Sequence, residues 1–531
     1  MNRKLLVLPA LLGLAAPVLA GCGDSTGGGG GGDAVVIGST DPIEVSADQP
    51  SPLDPATAYD GGTYSFFNNT FQMLLGYTRS STTPEPDAAK SCGFSDTKSE
   101  LYRCTLRDGL KFANGHALTS EDVKFSVDRV LKINSDIGPA SLLVNIESVE
   151  APDPKTVVFH LKSSDATFPY KLATPAAAIV DSEVYSATEP LKGLKMEGSG
   201  PYKLDSWEDG KAVLSANPNY NGLIGKRSND KVEVRFFSSA PDMLKALSDG
   251  EVDLVNRTLT PDQISELEKN TVENVKLTET TGASVRFMFF NVDDPSVKPT
   301  AVREAIARVL DRDSLARDVT KGTATPLFGA VPTGITGHTN AYFDKYGEPD
   351  RNKAAETLSD AGISTPVKFT WTYPTEHPST PDKEEAEHLK KQLEATGLFK
   401  VDLQPITWKK FLKGAATGQF AAYSLSWLPD FPDPETYIAP FFADDGFLDL
   451  NYKGQTIKNS LLPATRQAAN RSKTDADFGQ MQNILSRELP MIPLYQDKQF
   501  VASRDGITGA EWFLNSSSSA QFWEIGRGVT G

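Results

Sequence analysis

Histidine, methionine and cysteine are scarce, at five, seven and three in 531 residues. So few imidazole, thioether and thiolate groups argue against a directly ligated metal, and no cofactor is expected. His116, His160, His338, His377 and His388 sit in no recognisable triad context, and His377 and His388 lie in a polar stretch without ligand spacing. There is no H-E-x-x-H helix and no G-x-S-x-G elbow on a strand-to-helix turn. A P-loop is missing too: Gly225-Lys226 has Tyr220 where the first loop glycine belongs. The common hydrolase and nucleotide-hydrolysing classes thereby lose their signatures, and no enzyme is predicted. No repeat of solenoid or propeller length is visible. Basic residues are outnumbered, 53 against 69, for a formal charge of −16. Such a surface repels nucleic acid and anionic membrane faces. At 531 residues the chain is too long for one simple core, so two or three lobes are expected.

Long apolar runs are also missing, except at the start. Arg3 and Lys4 precede an apolar stretch, Leu5 to Leu19, broken by Pro9 and Pro17. It is too short and too interrupted for a comfortable membrane span. It ends in Leu19-Ala20-Gly21-Cys22, which resembles the lipobox of bacterial lipoproteins. On that reading residues 1–21 are a signal peptide, and Cys22 carries the lipid that anchors the chain to the outer face of the cell membrane. The alternative is an ordinary secretory signal with an incidental cysteine. Residues 22–33 hold six consecutive glycines, Gly27 to Gly32, and cannot pack. They read as a tether with a root-mean-square span of about 18 Å. If Cys22 is lipidated, Cys92 and Cys104 remain. They flank the turn-like Ser95 to Lys98, and a disulfide there closes a hairpin in an oxidising compartment. It contributes about 3 kcal/mol.

β-rich runs alternate with amphipathic helices, which predicts mixed α/β lobes. Val35–Gly38, Leu101–Leu106 and Thr156–Leu161 read as strands. The clearest helix starts at Thr119, where Thr119 and Asp122 form a capping box and Leu118 staples onto Val123. Val123, Val127, Val130 and Leu131 then share one apolar face. Further helices are predicted over 301–310 and 381–396, the latter stopped by Gly397.

Several blocks, in order, resemble the family 5 solute-binding proteins, the oligopeptide and dipeptide-binding group of ABC importers. They are Ser51-Pro52-Leu53-Asp54-Pro55-Ala56; the run from Cys104 through Ser126; and Gly198-Ser199-Gly200-Pro201-Tyr202 followed by Trp207, Asn217-Pro218 and Tyr220. Gly250-Glu251-Val252-Asp253, Phe290-Asn291 with Val302-Arg303, the stretch Asp350–Gly362, Trp427 with Asp430 and Asp433, and Pro493-Leu494-Tyr495 continue the series. Ser359 departs from the family's usual leucine, and Leu428-Pro429 occupies a loop that bears on specificity.

The resemblance implies a periplasmic-binding-protein-like α/β fold: two α/β halves around a hinged cleft, with an additional lobe in the first half. The main lobe is expected at 34–57, 190–285 and 505–531, the extra lobe at 58–189 and the second half at 286–504. A monomer is expected, which captures a peptide or other small solute by closing on it and delivers it to ABC permease subunits. An oligosaccharide or a metal chelate is the other ligand class, and a ligand-sensing surface receptor the other role. Asp430 matches the position that holds a peptide α-ammonium in relatives; the alternative is a turn residue of the proline-rich loop. Trp427 is expected to line the pocket or sit in the core. Tyr495 faces the cleft or is buried in a sheet. Arg257 meets a carboxylate or lies on the surface, and Tyr59 is a further pocket candidate. Gly198 and Gly200 are expected to serve backbone turns.

Overall fold

The structure is a computed structural model that describes residues 34–528, apart from 42, 257–258, 270–271, 376–380, 444–445, 447 and 449. The residues around Cys22, and Arg257, therefore lie outside the described residues. The chain builds a mixed α/β fold around one eleven-stranded sheet. Two long strands, Val275–Phe290 and Met491–Arg504, run antiparallel through its middle. On one side of them lie Leu254–Asn256, Val35–Ser39, Lys231–Phe236, Lys211–Ala216 and Tyr202–Glu208; on the other lie Ala422–Trp427, Val367–Pro374 and Phe399–Ile406; the short Ala324–Pro326 pairs with Met491–Arg504 off this path.

The sequence explains why these long strands can be central. In Val285–Phe290 successive side chains point to opposite faces. Val285, Phe287 and Phe289 enter one core, and Met288 and Phe290 enter the other. Arg286 is the exception in this run and is 2% exposed. Its guanidinium donates to Glu385 at 3.0–3.1 Å and to Asp382 at 2.5 Å. Both acids lie on the helix Asp382–Ala395. A buried charge is tolerable only with such partners.

A second, four-stranded antiparallel sheet contains Ala89–Phe94, Leu101–Leu106, Thr156–Leu161 and Ile146–Asp153. Two of the strands read from the sequence, Leu101–Leu106 and Thr156–Leu161, have the same bounds here. The helix Ser120–Ile133 packs on this sheet, with the Asp122 carboxylate accepting from the Thr119 backbone N–H at 2.9 Å. Cys92 and Cys104 face each other across two neighbouring strands and are joined by a disulfide. The lobe has its own core, around Phe112, Phe159 and Leu172.

Asp54, in the early Leu-Asp-Pro turn, ties this lobe to the rest. Its carboxylate takes both arms of Arg129 at 2.8 and 2.6 Å, with neither side chain more than 1% exposed. It also accepts the backbone N–H groups of Ala56 and Leu191. Gly198 and Gly200 have a different role from the turns expected of them. Neither adopts positive φ, and a Cβ on either would strike the Thr70 backbone, at 2.2 Å from its carbonyl oxygen and 2.5 Å from its carbonyl carbon respectively. Glycine is needed there because two backbones touch. Replacing Asp54 by Ala should leave Arg129 buried and unpaired and cost about 3–5 kcal/mol, read by denaturant unfolding; unchanged stability would contradict the clamp.

Candidate functional site

The ladder between the two long strands shifts register twice, between Thr281 and Val285 and between Arg286 and Phe287, and the first break is the wider. Thr281 pairs with Lys498 and Val285 with Gln496, so Gly282, Ala283 and Ser284 stand opposite Asp497 alone. Two carbonyls of this bulge find side-chain donors. The Gln496 amide donates to the Gly282 carbonyl at 2.7 Å, and the Tyr437 hydroxyl to the Ala283 carbonyl at 2.9 Å. The Ser284 hydroxyl donates to the Asp497 carboxylate at 2.7 Å. A Cβ at Gly282 would lie 2.4 Å from the Asp497 carbonyl oxygen, so only glycine fits this approach.

Three adjoining cavities, of about 390, 630 and 230 Å³, share Leu428, and the second and third reach the break. Leu428 lines all three. Its side chain is 48% exposed, so it projects into the cleft and divides it. The loop that carries Leu428 follows the strand Ala422–Trp427, and Pro429, Pro432 and Pro434 keep it from continuing as a ladder strand.

The two aspartates of this loop do different work. Asp433 accepts from the Glu435 backbone N–H at 2.9 Å and takes both arms of Arg471 at 2.7 Å. It is the turn-forming residue. Asp430 lines the first cavity, and its carboxylate accepts only from the Tyr59 hydroxyl among the described residues. Burial pushes the Asp430 carboxyl above its usual range; the Tyr59 hydrogen bond and the charge of Lys171 offset this in part. The Lys171 ammonium is itself held by Asp165 at 2.6 Å. Around Asp430, the hydroxyls of Tyr64, Tyr77 and Ser517 are buried without hydrogen-bond partners. Such groups are costly unless something satisfies them.

Trp427 combines both readings made of it. Its indole N–H donates to the Thr436 carbonyl at 2.7 Å and its ring stands edge-on to Phe441, while it still lines the first and second cavities. Tyr495 contributes to the wall of the second cavity, but it is 3% exposed and its hydroxyl donates to Glu385 at 2.7 Å. Tyr59 and Asp430, distant in sequence, meet at the first cavity. Sequence reasoning missed Tyr64, Tyr77, Ser517 and Asp497. Only Asp497 carries a local signal: an Asp-Lys pair inside the otherwise largely apolar run Met491 to Ala502.

The chain closes around these cavities. Besides Tyr59 with Asp430, the Ser99 hydroxyl donates to the Gln467 carbonyl at 3.0 Å and the Ala166 N–H to the Arg466 carbonyl at 2.7 Å. Phe431, beside Asp430, packs into the core of the four-stranded lobe with its ring 5.8 Å from that of Tyr170. Among the described residues no group of three or more His, Cys, Asp or Glu could hold a metal ion, and no helix is long and apolar enough to cross a membrane.

Two α/β parts joined by crossing strands, with partly unsatisfied polar groups in the cleft between them, define a hinged binding protein. The family model for bacterial extracellular solute-binding proteins, family 5 (middle), matches residues 83–449, and the chain belongs to that family. It is a solute-binding protein and not an enzyme. The chain is 28% identical over 527 residues to the probable D,D-dipeptide-binding periplasmic protein DdpA of Escherichia coli K12, covering 96% of each. Its fold is similar to that of HbpA2 from Haemophilus parasuis, with a TM-score of 0.81 at 20% identity over 93% of this chain and 100% of that one. It is also similar to the ABC transporter-associated periplasmic binding protein DppA from Helicobacter pylori in complex with the peptide STSA. There the TM-score is 0.71 at 22% identity, over 93% and 98% of the two chains.

Proposed function

We propose that the protein captures peptides in this cleft and delivers them to the membrane subunits of an ABC importer. The observation that carries the reading is Asp430: a half-buried carboxylate without a cation at hydrogen-bond distance, bordered by three buried hydroxyls without partners. A peptide α-ammonium supplies the missing charge through a charge-assisted hydrogen bond. The peptide main chain supplies donors and acceptors for Tyr64, Tyr77 and Ser517. The Tyr59 hydroxyl donates to Asp430 and acts as a placeholder for that ammonium. Trp427 and Tyr495 form walls, and Arg257 is the residue we assign to the peptide carboxylate, because a guanidinium suits that group. The dipeptide in the name of DdpA and the peptide bound to DppA from Helicobacter pylori support this ligand class.

The moving parts are residues 34–57, 190–285 and 505–531 with the extra lobe 58–189, against residues 286–504. A ligand that touches both favours the closed form by its differential affinity. The closed form is what the permease recognises, and ATP is hydrolysed there by other subunits.

Replacing Asp430 by Ala should weaken peptide binding by about 2 kcal/mol or more, measured by calorimetry; an unchanged affinity would remove Asp430 from the site. The pH dependence has a definite sign. The ionised carboxylate holds the ammonium, and burial has raised its pKa in the free protein. Affinity is therefore full at high pH and falls as pH drops through that raised value. The loss begins above the pH at which an ordinary aspartate, near about 3.9, would titrate. An affinity flat down to the ordinary aspartate range would contradict this.

The anchor belongs to the same proposal. Lipid on Cys22 and the glycine tether hold the cleft close to the membrane. Replacing Cys22 by Ser should move the protein from the membrane fraction to the soluble fraction, and a variant that still sediments with membranes would count against lipidation.

A further inference from the structure

Beyond Leu428 the cleft changes character. The second cavity, of about 630 Å³, is walled by Leu259, Pro261, Ile264, Trp408, Leu425 and Phe500. Asp497 lines it and the smaller third cavity beside it. Asp497 sits opposite the bulge of the crossing strands, and its carboxylate receives the Ser284 hydroxyl but no cation. Lys498 is the one cation among the described residues lining these cavities, and its ammonium is held by Glu279 at 3.1 Å. The first cavity contributes Asp430 and no described cation. Asp60 also lines the first cavity, but it caps a helix by accepting from the Thr63 N–H; Asp430 and Asp497, one on each side of Leu428, have no cation at hydrogen-bond distance.

An apolar sleeve with one unpaired carboxylate in its wall suits a particular ligand group. An aliphatic stem covers the apolar surface and a cationic head reaches the charge. A purely apolar side chain would fill the same space but leave Asp497 further desolvated without compensation. A neutral polar chain would leave the charge in place. Burial already pushes the Asp497 carboxyl above its usual range, with Ser284 and Arg286 partly offsetting this and Glu385 adding to it. The strain is relieved by a cation.

We infer that the protein is selective for ligands with two positive charges: a peptide whose α-ammonium meets Asp430 and whose lysine-like or arginine-like side chain enters the second cavity to meet Asp497. This rests on the peptide reading for its first charge, and on the second cavity alone for its second.

Calorimetry on the purified chain separates the two. The probes are Ala-Lys, Ala-norleucine, which keeps the stem and lacks the charge, and the diamine cadaverine. On the unaltered protein Ala-Lys should bind about tenfold or more tighter than Ala-norleucine. In Asp497→Asn the two dipeptides should bind alike. Equal affinities on the unaltered protein would overturn the inference without recourse to any variant, as would a preference for Ala-Lys that survives in Asp497→Asn. If neither dipeptide binds but cadaverine does, and loses affinity in Asp497→Asn, the cation site stands and the peptide reading falls. If none of the three binds, both fall.

Discussion

The antiparallel pairing of Val275–Phe290 with Met491–Arg504 is the constraint on which the molecule depends. These strands divide the other strands of the large sheet between their two sides, apart from the short Ala324–Pro326, which pairs with Met491–Arg504 off this path. Where their ladder breaks, at Gly282–Ser284 against Asp497, side chains rather than backbone take up the freed carbonyls. Backbone groups left unpaired at depth would be expensive. Side-chain substitutes keep the crossing intact while removing the rigid ladder at one level. That level is also where the cavities lie. The second and third cavities are thus walled in part by the residues at which the ladder breaks.

Buried charge separates scaffold from site. Arg129 with Asp54, Arg286 with Glu385 and Asp382, and Arg471 with Asp433 are each closed pairs or networks with short contacts. Removing one member would leave an uncompensated charge, so they act as clamps. Asp430 and Asp497 differ: each has one neutral hydroxyl for a partner and opens on a cavity. Folding alone does not favour such an arrangement.

Much of the scaffold was legible in the sequence because it rests on local rules. The Thr119 capping box set the start of its helix, and β-rich runs marked the strands Leu101–Leu106 and Thr156–Leu161. The resemblance to family 5 supplied the two-part architecture, which periodicity could not, because the central sheet joins strands from opposite ends of the chain. The site was legible only in part. Asp430 and Trp427 stood in a recognisable block, but nothing local separated Asp430 from Asp433, which shares the same proline-rich loop. The difference is Arg471, 38 residues further on, which occupies one carboxylate and not the other. Tyr64, Tyr77 and Ser517 were illegible for the same reason: a hydroxyl lacks a partner only by virtue of what surrounds it in space. The glycines at 198 and 200 were recognised as necessary but for the wrong cause, since close approach to Thr70 involves a segment more than a hundred residues away.

A native mass spectrum of the protein as purified tests the central claim most directly, with a second spectrum after unfolding and refolding. The account predicts adducts of peptide mass that fragment as amino-acid chains and vanish once the fold is released. Bound material of another chemistry, such as a sugar or a metal chelate, retained under the same conditions, would contradict peptide capture while leaving a solute-binding protein in place.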